Sequence, residues 1–332
     1  MNKKRIIIPG CLGLMMLALS IFLSVAFGAR TTTMETVLRT IFDKTFESFE
    51  ANVVRARIPR TVFGVLAGAG LGVSGVLMQA ITRNPIADPG ILGVNTGASL
   101  AVVVGMAFFH ISAGTEYVLL SFIGAIVTAV FVYSIASFGY GGVTPMKLAL
   151  AGAATSTALG SLVNTIMMPN DRVMDQFRFW QVGSIGGTGW DEIKIIMPYI
   201  LAGIAIAIIL APALNAMALG DEMATGLGIN VKLVRGIAAF SGVLLCSTVT
   251  AFAGPIGFVG LMIPHLMKLL VGQDYRCIVP MSALGGSCLL VLADVIGRVL
   301  GRPGELEVGV VTAMIGAPVF VAIVRKAKVG RT

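Results

Sequence analysis

The chain has 332 residues, 56% of them hydrophobic and only 12% charged, with a mean hydropathy of +0.93. A bilayer crossing takes about 20 apolar residues, so this length holds about ten crossings and little room for a soluble domain. The net charge of +8 comes without a basic run or an RNA-binding motif, which argues against nucleic acid, and the four cysteines lack a CxxC spacing, which argues against a metal or redox site.

Taken in order, Lys3, Lys4 and Arg5 precede an apolar run over residues 6–28, read as a first span anchored on the cytoplasmic side. A cleaved signal peptide is the competing reading, because Ala26 to Ala29 supplies small residues. Residues 29–59 form the longest polar segment, expected to hold a short amphipathic helix on the outer surface. Further spans are placed near 60–80, 91–110, 118–138, 147–168 and 193–213. The apolar interval 235–271 is broken at Ala253-Gly254-Pro255, giving two short spans, and 278–299 and 307–325 complete the set. An even count puts both basic termini, the second carrying Arg325, Lys326, Lys328 and Arg331, in the cytoplasm. The expectation is an all-α polytopic protein in the cell membrane, residues 1–332 forming one transmembrane domain.

The span at 60–80 carries Gly64, Gly68 and Gly72 at every fourth position, so one helix face lacks side chains and another backbone can approach closely. It ends at Thr82-Arg83-Asn84-Pro85, where proline stops the helix. Arg57, Arg60, Arg298 and Arg302 all fall at outer ends of spans, against the usual bias. They are read either as headgroup anchors or as a docking surface for an acidic partner, since guanidinium groups pair bidentately with carboxylates. Asp294 lies four residues before Arg298 and can pair with it; a proton or ion relay is the rival role, although relays use several acids and no second one lies deep in a span. On the inner side, residues 214–235 form the long connection, in which Asp221 and Glu222 open a short helix that Gly226 and Gly228 end. That helix suits coupling to a soluble motor; an ordinary interhelical loop is the alternative. There is no GxxxxGK[ST], HExxH or Gly-x-Ser-x-Gly, and His110 and His265 stand alone, so the chain is expected to be neither an ATPase nor a hydrolase and to carry no cofactor or metal. Trp180 and Trp190, among Gly183, Gly186, Gly187 and Gly189, read as an interfacial loop.

Several motifs resemble one family closely: Arg57-Ile-Pro-Arg60, Gly75 to Gln79 (GVLMQ), Asn84 to Gly93 (NPIADPGILG), Ala218 to Glu222 (ALGDE), Gly257 to His265 (GFVGLMIPH), Val308 to Ala313 and Gly316 to Phe320. They run the length of the chain and resemble FecCD-type permeases, the membrane subunits of binding-protein-dependent ABC importers for iron-siderophores, haem and cobalamin. The resemblance implies the type II importer permease fold with ten helices, a second permease subunit (identical or paralogous), two cytoplasmic ATP-binding subunits and an extracytoplasmic substrate-binding protein. It implies that Arg57 and Arg298, with Arg60 and by extension Arg302, meet the binding protein. Leu219, Gly220, Asp221, Glu222, Ala224, Gly226 and Gly228 match the ATPase-coupling segment, and Asn84, Ile86, Thr144, Pro145 and Met146 a cytoplasmic gate. Gly152, Thr155, Ser156 and Gly160 on the fifth span are the candidate lining of the path. Iron-siderophore is the expected cargo, ahead of haem and cobalamin, and an ion-driven secondary transporter is the alternative of a different class.

Overall fold

The computed structural model describes residues 4–43, 45–85, 87–109, 111, 114–138 and 144–329. Lys3, Ile86, His110 and Arg331 lie outside the described residues. In chain order the helices are α1 (Lys4–Ala26), α2 (Met34–Phe42), α3 (Phe49–Thr82), α4 (Val94–Phe108), α5 (Gly114–Ser137), α6 (Pro145–Met167), α7 (Asp171–Gln181), α8 (Trp190–Ala218), α9 (Asp221–Gly226), α10 (Val231–Ala253), α11 (Val259–Val271), α12 (Tyr275–Leu300) and α13 (Val308–Val329), with a 3-10 turn at Pro89–Leu92 before α4. No strand occurs among the described residues. Within them, α1, α3, α5, α6, α8, α10 and α12 are long and apolar enough to cross a membrane, and α4, α11 and α13 contain shorter apolar stretches. Each span placed by hydropathy falls on one of these helices.

Local chemistry sets the helix ends. Ser48 caps α3 by accepting from the Ala51 N–H, Thr144 caps α6 through Lys147 N–H with Pro145 in the first turn, and Asn230 caps α10 through Leu233 N–H. The break expected near residue 254 is real: Gly254, at φ 70°, ends α10, and a short non-helical stretch leads to α11. One boundary differs from expectation. Helix α3 begins at Phe49, not near 60, so Arg57 and Arg60 sit inside a 34-residue helix. At 1.5 Å per residue it is roughly 50 Å long and reaches from one end of the molecule to the other.

That helix is the axis of the fold. It packs against α1, α8, α10, α11 and α12, and almost all of its apolar length is buried. The four-residue glycine spacing works as expected at Gly68 and Gly72, whereas a Cβ at Gly64 would meet only the Ile185 and Val291 side chains. A Cβ added at Gly68 would fall on the Gly286 carbonyl, one at Gly72 on the Ser282 carbonyl, and one at Gly75 on the Gly260 carbonyl. The backbones of α3, α12 and α11 therefore touch directly. Gly68→Val is expected to force α3 from α12 and cost about 1–3 kcal/mol or more. Gly10, which has nothing within 4 Å, should accept alanine without loss. Thermal unfolding of the two variants in detergent checks the contrast, and equal melting temperatures would refute the close-packing account.

Candidate functional site

At the Arg57 end, three elements converge: the last turn of α1, the third and fourth turns of α3, and the last two turns of α12. A helix ends with four carbonyls that have no partner within it. In α1 these are Leu23 to Ala26, and all are satisfied. Leu23 O accepts from Phe27 N–H at 2.8 Å, Ser24 O from Arg298 Nη1 at 3.2 Å, and Val25 O and Ala26 O both from Arg57 Nη1 at 3.0 Å. Arg57 Nη2 also donates to Arg30 O, and Arg302 donates twice to Gly28 O. Three arginines thus cap the negative end of the α1 dipole and the turn beyond it.

The same groups form a buried charge network. Asp294 and Arg298 are each 2% exposed, and their ion pair is 2.9 Å long, the i,i+4 pair that the spacing allows. Asp294 Oδ1 also accepts from Arg60 Nε and Nη2, at 3.1 and 2.7 Å, while Arg60 Nη1 reaches Glu305 Oε2 at 2.7 Å. Ser24 Oγ joins Arg298 Nη2 to Thr61 Oγ1. Placement of the arginines therefore departs from a simple exposed surface: Arg57 and Arg298 are buried, Arg60 is half-buried, and Arg302 and Arg30 are exposed. A cavity of about 730 Å³ opens above them, lined by Gly28, Arg30, Arg57, Arg60, Arg298 and Glu305. Glu305 and Ser24 were not singled out in the sequence, because nothing local marks them as partners of residues more than 200 positions away.

At the other end of α3, Arg83 takes a left-handed conformation (φ 49°) as the C-cap and turns back to donate to Met217 O and to Asp221 Oδ1. Arg235, in the first turns of α10, donates to both oxygens of Asp221, at 3.1 and 3.2 Å. One carboxylate at the start of α9 is thus gripped by arginines from two spans. Gly220 (φ 120°) and Gly228 (φ 81°) make the turns that isolate α9, and Ala224 is the fully buried residue on its inner side. Glu222 and Gly226 lie at the exposed start and end of the short helix. Leu219, Met223 and Leu227 recur at four-residue spacing and are 65%, 60% and 62% exposed. Met223 and Leu227, on α9 and its C-cap, were missed, although their spacing is a helical-face signal; Leu219 ends α8 on the other side of the Gly220 turn. A cleft of about 810 Å³ beside α9 is lined by Tyr133, Ser137, Asp221, Asn230, Lys232 and Arg235.

The residues expected to form a gate stand on separate elements. Asn84 lies in the turn after α3, its carbonyl accepting from Ala87 N–H; Thr144 is the α6 cap, Pro145 follows it, and Met146 is 70% exposed. In the same α3–α4 loop, burial raises the pKa of Asp88, opposed by the Gly90 N–H that its side chain accepts. Gly152, Thr155, Ser156 and Gly160 turn toward the subunit's own interior. Ser156 Oγ would lie 3.4 Å from a Cβ on Gly93, Thr96 is the neighbour of Gly160, and Gly152 and Thr155 are buried. The opposite face of α6 exposes Thr157, Ser161 and Thr165, each hydroxyl donating to the carbonyl four residues back.

Comparison with known proteins agrees with this architecture. The FecCD transport family profile matches residues 16–326. The chain is 43% identical over 325 residues to the ferric enterobactin transport system permease protein FepD of Escherichia coli, covering 97% of this chain and 96% of that protein. It is 43% identical over 272 residues to the Fe(3+)-citrate import system permease protein YfmD of Bacillus subtilis, covering 82% and 80%. A solved metal-chelate type ABC transporter in an inward-facing conformation superposes with a TM-score of 0.81 at 26% identity, over 95% of this chain and 97% of that one. With a matching profile over almost all its length and relatives above 40% identity on both counts, the chain is a membrane protein of the FecCD transport family.

Proposed function

We propose that the chain is the permease subunit of an ABC importer that moves a ferric chelate, an iron-siderophore before haem or cobalamin, across the cytoplasmic membrane. The observation that carries this reading is α9: a short helix set off by two glycine turns, tied through Asp221 to α3 and α10, and presenting Met223 and, at its cap, Leu227 outward, with exposed Leu219 at the adjoining end of α8. An exposed apolar stripe on a rigidly held helix fits the groove of a soluble partner, here one of two ATP-binding subunits. On this reading the Asp221 end and both termini are cytoplasmic, and the chain hydrolyses nothing itself. It acts as one transmembrane domain alongside a second permease subunit.

The Arg57 end then faces the substrate-binding protein. Arg30 and Arg302 are the exposed cations that meet its carboxylates, Arg60 stands at the cavity wall, and Arg57 and Arg298 form the floor by holding α1 in place. The path runs along the hydroxyl-bearing face of α6, at Thr157, Ser161 and Thr165, with Asn84 and Thr144 to Met146 near its cytoplasmic mouth. A polar stripe exposed on a span suits a water-filled passage better than lipid. Asp294 does not fit a proton relay, because both of its oxygens face arginines.

The test is uptake of radio-iron supplied as enterobactin, citrate and hydroxamate chelates, with haem and cobalamin in parallel. It compares cells with and without the chain while keeping the ATP-binding and binding-protein subunits. ATP-dependent uptake of one chelate should vanish without the chain, and Ser161→Trp should block it in a protein that still folds. Uptake that survives ATP depletion but collapses with the proton gradient would overturn the importer reading.

A further inference from the structure

We propose that α2 is an interfacial helix, lying in the bilayer surface at the Arg57 end with its apolar face among the lipid chains. Eight of its nine residues, all but Thr36, divide the helix circumference into three sectors. Val37 and Thr40 are buried against the ends of α1 and α3. Met34, Leu38, Ile41 and Phe42 are apolar and 44%, 45%, 45% and 84% exposed. Glu35 and Arg39 pair with each other at 3.0 Å and are exposed. At about 100° per residue, these sectors are centred roughly a third of a turn apart. A helix on a protein surface in water needs only a buried and a polar sector. A third sector, large, apolar and facing away from the protein, needs an apolar medium of its own.

The occupant follows from what the helix adjoins. Helix α2 sits on α1, a span whose face is mostly exposed and which presents Ile21, Phe22 and Phe27 outward up to its end. The uncovered sector thus continues the lipid-facing surface of a membrane helix. Aromatic rings mark the same level, where Phe49 is 67% exposed with Arg30 over its ring at 5.1 Å and Arg39 stands over Phe46 at 6.0 Å. The single acid and single base cancel each other, so insertion is driven by apolar burial and does not depend on anionic headgroups. The consequence is local. The turn between α1 and α2 supplies the Gly28 and Arg30 carbonyls that Arg302 and Arg57 hold, and an α2 fixed in the interface holds that turn at constant depth.

The experiment labels single cysteines with a nitroxide in the full-length protein, in phosphatidylcholine nanodiscs without anionic lipid. Exposed Cys11 is first replaced by serine; the other cysteines are buried. Leu38→Cys, Ile41→Cys, Phe42→Cys, Glu35→Cys and Arg39→Cys all fall at exposed positions, so each can be labelled without disturbing the packing, and each serves as a check on the others. Labels at 38, 41 and 42 should collide readily with oxygen and poorly with a water-soluble nickel chelate, with the preference reversed at 35 and 39. Nickel access at 38, 41 and 42 equal to that at 35 and 39 would place the face in water and overturn the proposal. Shielding of 38, 41 and 42 from both reagents would place it against protein, a second copy or another partner, and would overturn it equally.

Discussion

Asp294→Asn is expected to destabilise the protein by about 3–5 kcal/mol, the cost of leaving buried cations without their counter-charge. Asp294 faces two guanidinium groups, those of Arg298 and Arg60, and both it and Arg298 are 2% exposed. Arg60 keeps Glu305, but Arg298 would retain only the Ser24 contacts. The double variant Asp294→Asn, Arg298→Met removes the stranded charge and should recover much of the loss, since a buried pair replaced by apolar volume is often close to neutral. Folded yield and thermal unfolding in detergent measure both variants. If Asp294→Asn melts like the parent yet transports nothing, Asp294 serves transport rather than architecture, and the ion-coupled reading returns.

Asp221→Lys is expected to abolish uptake while lowering the melting temperature less than Asp294→Asn does. The Asp221 side chain is 47% exposed, and ion pairs at that exposure contribute about 0–1 kcal/mol to stability. Its position outweighs its energy, because it joins α9 to Arg83 at the foot of α3 and to Arg235 at the start of α10. A lysine there places three cations together and drives α9 away from both spans. Hydrolysis of ATP by the partner subunits should continue without uptake, and Met223→Asp should act alike by weakening the fit of α9 in the partner. Parallel assays of ATP hydrolysis and radio-iron uptake separate coupling from folding. Normal uptake in Asp221→Lys would remove α9 from the coupling path.

Much of the fold was legible because a membrane span is written as a continuous apolar run, and the glycine spacing in α3 named the face that meets α12. The start of α3 was not, since Glu50, Asn52, Arg55 and Arg57 look like loop residues until Ser48 is seen capping a helix that carries them. The outer arginines were found but only partly understood. Their burial follows from hydrogen bonds to carbonyls of α1, and a backbone acceptor leaves no mark in sequence. On α6, the small residues Gly152, Thr155, Ser156 and Gly160 read as a passage; small side chains equally let helices meet, and here they do. Asp221 was recognised, whereas Arg83, some 138 positions earlier, could not be paired with it by any local pattern.

The capping of α1 also bears on the order in which the protein is made. The carbonyl of Ser24 is satisfied by a side chain 274 positions later, so the end of α1 emerges from the ribosome long before the group that completes it exists. Until α12 enters the membrane, the Ser24 carbonyl must rely on water or headgroups, whereas Val25 and Ala26 find Arg57 as soon as α3 is in place. Arg57 thus ties α1 to α3 as soon as both are made, and Arg298 adds the last cap when α12 enters the membrane.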